Sequence, residues 1–402
     1  PFELTGDQSA ALQKIWRLMQ GHAPMGLLLQ GDVATGKTAV AWCSAMAAMA
    51  AGWQVAFLAP TELLSEQHYR CVQQLCRSMQ ASAVLLTASS EDRAGVEQTL
   101  RAGEPCMVFG THALFSDATG FSNLGLVIID EQHRFGVDQR ARLIRKGDNP
   151  HVLYMTATPI PRTLTLTLFG DLDLAVLRQR PPGHRPAPAF YLPPTEWPRV
   201  LKIIGRRVAR GEQVFVVCSK IGADGEKGGA VRLQREVAGH FDCRLVHGQM
   251  DSKERQTNLD GFRGGEFPVL VGTTVLEVGV DVPAATLMVV VGCDRFGLAT
   301  LHQLRGRVGR GTRRGLCILT GTASARTRAV CRSVDGFALA EQDLVLRGSG
   351  ELTGHRQSGL SELRALDPVA DLDLLSEVRD LVRLEDDTVT AVEGYAGENH
   401  AG

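Results

Sequence analysis

The chain has 402 residues, enough for two or three domains of ordinary size, and 44% of them are hydrophobic, so each domain can bury a core. Charged residues make up 22% and the net charge is −1. This excludes a disordered chain and a globally basic nucleic-acid binder, so any nucleic-acid contact must come from a local groove.

The chain begins at Pro1 rather than Met, so further domains are expected upstream. Short apolar runs at Leu27–Leu29, Val55–Leu58, Val84–Leu86, Leu126–Ile129 and Val152–Tyr154 lack polar alternation, as strands covered on both faces do. Segments of helical length separate them, the pattern of a parallel α/β sheet. Ala39–Ala51 is apolar but too short to cross a bilayer, and reads as a packed helix. The series stops at Arg178-Gln-Arg-Pro-Pro-Gly-His-Arg-Pro186, where Pro and Gly interrupt regular structure. The reading is a first domain over 1–178, a linker over 179–187 and a second domain over 188–332. The second domain repeats the pattern with Val214–Val217, Leu245-Val246, Val269–Val271, Leu287–Val291 and Leu316–Leu319, and Gly222–Gly229 reads as a surface loop. Residues 333–402 form a third region, with an amphipathic helix expected over Asp371–Leu384 and a frayed end at Glu393–Gly402. Nine cysteines are scattered without a Cys-x-x-Cys pair, so neither a disulfide framework nor a zinc site is expected. Buried thiols in a reducing, cytoplasmic setting fit better. No signal peptide and no membrane contact are expected.

The strongest local signal is Gly31-Asp-Val-Ala-Thr-Gly36-Lys37-Thr38, a match to the phosphate-loop pattern between an apolar strand and an Ala-rich helix. Glycines let the backbone curl so that successive N–H groups face an anion, and the helix N-terminus adds partial positive charge. Lys37 is expected on the β- and γ-phosphates of ATP and Thr38 on Mg2+. The bland reading is a chance strand-to-helix turn. Ile128-Ile129-Asp130-Glu131 puts an acidic pair at the carboxyl end of a buried strand, the edge that also carries the phosphate loop. Asp130 is expected to hold Mg2+ through water, and Glu131 to orient and deprotonate the attacking water. Against this stands an ordinary acidic turn.

A third signal is Leu301-His-Gln303-Leu-Arg305-Gly-Arg307-Val-Gly-Arg310 in the second half. Read as one helix despite its glycines, it puts Gln303, Arg307 and Arg310 on one face. Arginines offered across a cleft would stabilise γ-phosphate charge in the transition state. A solvated basic face and a DNA-backbone patch remain open here.

Together these stretches resemble superfamily 2 helicases, and the resemblance extends over nearly the whole chain. It implies two RecA-like parallel-sheet domains (P-loop NTPase) with a C-terminal helical hairpin extension. Phe2–Gln8 is similar to the adenine-recognition motif, with Gln8 as the adenine reader. Ala59–His68, with Thr61, and Gly110-Thr111-His112 look like DNA-backbone motifs. Thr156-Ala-Thr158 looks like the motif coupling hydrolysis to lobe movement. Val271-Gly-Thr273-Thr274 and Glu277-Val-Gly279-Val-Asp281 look like the motif touching both DNA and nucleotide. Within the superfamily the chain resembles the RecG family of branched-DNA helicases. The residues responsible are Gln30–Thr38, Asp130-Glu-Gln-His-Arg-Phe-Gly-Val137, Met155-Thr-Ala-Thr-Pro-Ile-Pro-Arg162, and Gly336–Gly359 with Arg347, Arg356 and Gln357. The last stretch is similar to the translocation motif shared with the transcription-repair coupling translocase; a plain helical cap on the second lobe is its bland reading.

The sequence departs from the family at Ala34-Thr35, where Gly-Ser is usual, and at His355, where threonine is common. The amino-terminal wedge domain of the family is missing, so movement on duplex DNA with poor fork unwinding is expected. The resemblance implies a monomer on DNA, sequence-independent contacts, and closure of the lobes bringing Arg307 and Arg310 to the γ-phosphate. Three other readings compete: a translocase that does not separate strands, a nucleotide-gated DNA-binding module, and a small-molecule P-loop kinase.

Overall fold

The computed structural model describes residues 3–78, 81–90, 92–159, 172–219, 229–277 and 282–351. Two parallel sheets organise them. The first contains β1 (Gly26–Gly31), β2 (Gln54–Leu58), β3 (Ser82–Leu86), β4 (Cys106–Gly110), β5 (Leu124–Ile129), β6 (His151–Thr156) and β7 (Asp173–Leu177), in the order β3-β4-β2-β5-β6-β1-β7. The second contains β8 (Ala189–Tyr191), β9 (Gln213–Cys218), β10 (Cys243–Val246), β11 (Val269–Gly272), β12 (Ala285–Val291) and β13 (Leu316–Thr320), in the order β10-β11-β9-β12-β13-β8. This is the expected pair of RecA-like α/β lobes.

The central strands are apolar on both faces because helices cover both. In the first lobe Leu27, Leu29, Val55, Phe57, Phe109, Ile128 and Leu153 belong to one buried cluster. Their neighbours Ala56, Leu58, Val108, Val127, Ile129 and Val152 belong to the other. The second lobe repeats this, with Phe215, Val217, Leu270, Met288 and Val290 on one side and Val214, Val216, Val269, Leu287 and Val289 on the other. Adjacent residues pointing to opposite faces is the two-residue period of a strand. Burying each such side chain contributes about 1.5–3 kcal/mol.

The structure adds three strands that the sequence reading left out: β4, β7 and β8. β7 ends at Leu177 and β8 starts at Ala189, so the Pro-rich stretch bridges the two sheets. The C-terminal extension is described through the helix Gly336–Glu351. The rest of the expected hairpin, the Asp371–Leu384 helix, the Glu393–Gly402 end and the 222–228 part of the glycine-rich loop lie outside the described residues.

Sheet order positions the site. β6 lies between β5 and β1, so the chain leaving these three strands emerges side by side at one carboxyl edge. Those exits are Gly31 and the phosphate loop, Thr156–Thr158, and Asp130-Glu131.

Candidate nucleotide site between two lobes

β1 ends at Gly31, and the loop turns into the helix Lys37–Ala50. Gly36 has φ +80° and Ala34 φ +61°, a left-handed conformation that suits glycine and strains alanine. No side chain caps the helix N-terminus, so its first turn presents N–H groups to the concave side of the loop, as a phosphate requires. Lys37 is buried and its Nζ donates to the carbonyls of Gly31 (2.8 Å) and Asp32 (2.9 Å). Burial lowers its pKa, and nearby Glu131 and Asp130 pull it back up. Thr38 is partly buried in the first helical turn.

Gln8, expected to read adenine, is tied to the phosphate loop. Its Nε2 donates to the Thr35 carbonyl at 2.8 Å, and its Oε1 accepts from the Thr5 N–H at 2.9 Å. The same residue closes a capping box on the helix Gly6–Met19 and touches the phosphate loop. A Cβ at Gly36 would collide with its amide nitrogen, so Gly36 is needed both for its φ and for this approach. Beside Thr5 lies a cavity of about 380 Å³ lined by Glu3, Leu4, Thr5, Gln179, Arg180 and Pro182, a size suited to part of a small ligand.

Asp130 and Glu131 leave β5 as expected. His68 Nε2 lies 3.2 Å from Asp130 Oδ2, and the His68 ring packs on Phe57 at 4.6 Å. Sequence reading placed His68 only at the end of a motif matched to DNA-backbone contacts, because its partner Asp130 is distant in the chain. Glu131 has φ +48°, a strained conformation for a residue with a side chain and one that clusters at functional sites. Its Oε2 accepts from the Ala157 N–H at 3.4 Å and lies 3.6 Å from His133 Nδ1. Burial, then the charge of Asp130, raises the Glu131 carboxyl to about 7, against the pull of Lys37 and Arg307. His133 is pushed down to about 4 by burial and Arg134.

The second lobe corrects one expectation. Leu301–Arg310 is not one helix: the helix Leu298–Arg305 ends with Gly306 as its C-cap. Gly309 then turns at φ +75° and donates to the Ala285 carbonyl at 3.0 Å, so the chain breaks away to bond β12. Arg307 and Arg310 therefore reach the site from the turn beyond the helix. Gln303, on the helix, donates through Nε2 to Thr158 Oγ1 at 2.9 Å. Arg310 is close enough to depress Lys37, and Arg307 close enough to hold Glu131 down. A Cβ at Gly306 would lie 2.9 Å from Val33 Cβ, so the lobes touch at the phosphate loop itself. Sequence reading also missed the Asp32 side chain, which reaches His302 and Arg180.

The residues matched to DNA motifs sit at carboxyl ends of other strands. Thr61 follows β2, is exposed, and accepts the Leu64 N–H through Oγ1 at 3.3 Å. Thr111, after β4, is buried, while the adjacent His112 is exposed and stacks near Phe115 and Phe135. Thr273, after β11, is buried. Arg347 lies in the helix Gly336–Glu351. Gly279, Asp281, Arg356 and Gln357 lie outside the described residues. Among the described residues no helix is long and apolar enough to cross a membrane.

Comparison with known proteins gives consistent matches. The DEAD/DEAH box helicase family model matches residues 5–167, and that of the helicase conserved C-terminal domain matches 197–312. ATP-dependent DNA helicase RecG of Streptococcus pneumoniae is 43% identical over 390 residues, 94% of this chain and 58% of that protein. The Escherichia coli O157:H7 protein of the same name is 41% identical over 405 residues, 95% of this chain and 58% of its own length. The chain thus spans a little over half the length of these relatives. A solved structure of RecG bound to a three-way DNA junction superposes with TM-score 0.77 at 39% identity, covering 93% of this chain and 50% of that one. The helicase MrfA bound to DNA superposes at 0.62 with 17% identity, covering 82% of this chain and 50% of that one, which speaks for the fold alone.

Proposed function

This chain belongs to the RecG family of helicases, and on that premise we propose that it hydrolyses ATP between its lobes to move along DNA, with branched DNA as its substrate. Stalled forks and Holliday junctions in recombination and repair fit this reading, as does the three-way junction held by the solved relative. One observation carries it: the second lobe meets the phosphate-loop edge of the first, with Gln303 donating to Thr158 Oγ1 at 2.9 Å and Gly306 packed against Val33, beside Arg307 and Arg310.

In this reading Gly31, Gly36, Lys37 and Thr38 hold the triphosphate, with Gln8 at the base and Gly279 and Asp281 contributing from the second lobe. Mg2+, held by Thr38 and Asp130, would neutralise phosphate charge. Such an ion keeps waters and takes phosphate oxygens, so it does not need a ready-made cluster of protein ligands. Thr38, in the first turn of the helix Lys37–Ala50, and Asp130, just after β5, lie at the same carboxyl edge of the sheet. Glu131 orients the attacking water and takes its proton on a carboxylate oxygen; a group raised to about 7 is well matched to that task near neutral pH. Arg307 and Arg310 stabilise charge on the departing phosphate oxygens, and Gln303 supports them through Thr158. Thr61, Thr111, His112, Thr273, Arg347, Arg356 and Gln357 line the DNA path, where backbone contacts are sequence-independent and weaken with salt. Because Thr111 and Thr273 are buried, their main-chain groups suit this role better than their hydroxyls. On this reading the protein works as a monomer in the cytoplasm.

The test is ATP turnover with forked, Holliday-junction, linear duplex and single-stranded DNA at one salt concentration. Branched DNA should stimulate most, and Lys37→Ala should lower the stimulated rate by at least about a hundredfold. Full stimulated turnover in Lys37→Ala would refute the assignment.

A further inference from the structure

The phosphate loop carries a buried carboxylate to which the proposed mechanism assigns no role. Asp32 is buried, and both of its oxygens are saturated. Oδ1 accepts the Val33 N–H at 2.6 Å and the His302 Nε2–H. Oδ2 accepts Arg180 Nη2 at 2.5 Å and the Gly336 N–H at 3.1 Å. An ionised carboxylate offers about four acceptor positions, so none is left over. Burial raises its pKa, yet the hydrogen bond from His302 and the charge of Arg180 prevail and hold it at about 2.

Three of the four donors lie outside the first sheet: Arg180 in the linker, His302 in the second lobe and Gly336 at the start of the helix Gly336–Glu351. The contacts continue. Arg305 Nη2 meets His302 Nδ1. Arginine can only donate, so Nδ1 must accept, and the ring proton sits on Nε2, facing Asp32. Arg305 is itself buried and donates through Nη1 to the carbonyls of Val330 (2.9 Å) and Ser333 (2.5 Å). Arg180 Nη2 also reaches the Val334 carbonyl at 3.1 Å, and Arg178 lies over the Phe337 ring at 4.7 Å. The segment 333–337 is thus fastened to the phosphate loop from three sides.

The same residue faces the nucleotide cradle through its main chain. The Asp32 carbonyl accepts Lys37 Nζ at 2.9 Å and Thr35 Oγ1 at 2.9 Å. Lys37 gives two of its three protons to the Gly31 and Asp32 carbonyls, so reaching both the β- and γ-phosphates takes at least one of them away. Filling the cradle therefore alters what holds the Asp32 main chain, and the saturated side chain cannot follow without releasing a partner.

We propose that Asp32 is a positioning residue that couples occupancy of the phosphate loop to docking of the segment 333–337 and the helix behind it, through His302 and Arg180. This rests on the motor reading above and adds to it the residue through which nucleotide state reaches the C-terminal helix. Two sites coupled in this way share one coupling free energy, so nucleotide changes DNA affinity by the same factor as DNA changes nucleotide affinity.

The experiment measures the dissociation constant of a three-way junction at fixed salt, with and without adenylyl imidodiphosphate. In the unaltered chain the two values should differ by about fivefold or more. In His302→Leu the ratio should fall to within about twofold of one, while nucleotide affinity without DNA changes by less than about twofold. His302→Gln, which keeps a donor near the Nε2 position, should restore the ratio. Gly336→Ala is an independent variant: its Cβ would sit 2.5 Å from Asp32 Oδ1 and 2.7 Å from His302 Nε2, and it should abolish coupling in the same way. Thermal unfolding identifies a variant that fails to fold, and the other is then decisive. Coupling that survives in either folded variant overturns the relay. If the unaltered chain binds neither nucleotide nor junction, the motor reading itself falls, which is a separate outcome.

Discussion

At the residue scale, the phosphate loop pays a conformational cost at Ala34. A left-handed alanine costs about 1–2 kcal/mol, and Ala34 sits at φ +61°, where glycine would be unstrained. Glycine would remove the strain but add freedom to the unfolded chain, worth about 0.4–1 kcal/mol in the other direction. Ala34→Gly should therefore stabilise the protein by about 0.5–1 kcal/mol net. The measurement is urea unfolding: the midpoint should rise with the slope unchanged, and a lower midpoint would mean that the loop has room to relax around alanine. Glu131 is the other strained residue of the site, at φ +48°, and its case differs. Its bond from Ala157 ties the strain to the chain leaving β6, so the unusual backbone aims the carboxylate, whereas at Ala34 no such bond explains it.

At the element scale, the junction after the helix Leu298–Arg305 sets how closely the lobes meet. Gly306 has an ordinary φ of −71°, so alanine there is not strained in its backbone. It is excluded by its neighbour, since the added Cβ would press on the side chain of Val33. Overpacking of this kind costs about 1–3 kcal/mol, and here relief comes from parting the lobes. Gly306→Ala should leave the folding of each lobe intact while lowering DNA-stimulated ATP turnover about tenfold. Val33→Ala in the same chain, which removes the nearest methyl, should recover part of the loss; unchanged turnover in Gly306→Ala would mean that the seam opens freely. The same junction shows what was legible in the sequence. The phosphate loop, Asp130-Glu131 and the ten strands with pure apolar runs could be read because their signals are local. Helix length could not: spacing put Gln303, Arg307 and Arg310 on one face, but the Gly309 turn and its bond to Ala285 depend on where β12 lies. β7 and β8 were missed because Asp173 and the three-residue Ala-Phe-Tyr run after the Pro-rich stretch weaken their pattern. β4, Cys106–Gly110, had a readable apolar run.

At the scale of the whole molecule, the site exists only where the halves meet, which explains why the Asp32 network escaped a linear reading. Its partners Arg180, His302 and Gly336 stand 148, 270 and 304 positions away. A second bridge, Gln303 to Thr158, decides what Gln303 does. Thr158 closes the turn that begins at Thr156, and Ala157 between them donates to Glu131. Gln303 is thus linked to the Glu131 carboxylate through the chain leaving β6, and under the proposed mechanism it is a positioning residue. Removing either partner leaves a largely buried polar group unpaired, at about 1–3 kcal/mol. Gln303→Ala and Thr158→Val should each slow stimulated turnover about fivefold to a hundredfold. Residues acting through one bond are not additive, and a double-mutant cycle measures the excess. The double variant should be no slower than the slower single. If the two losses instead multiply, Gln303 acts on the nucleotide independently of Thr158, and the bridge is incidental to turnover.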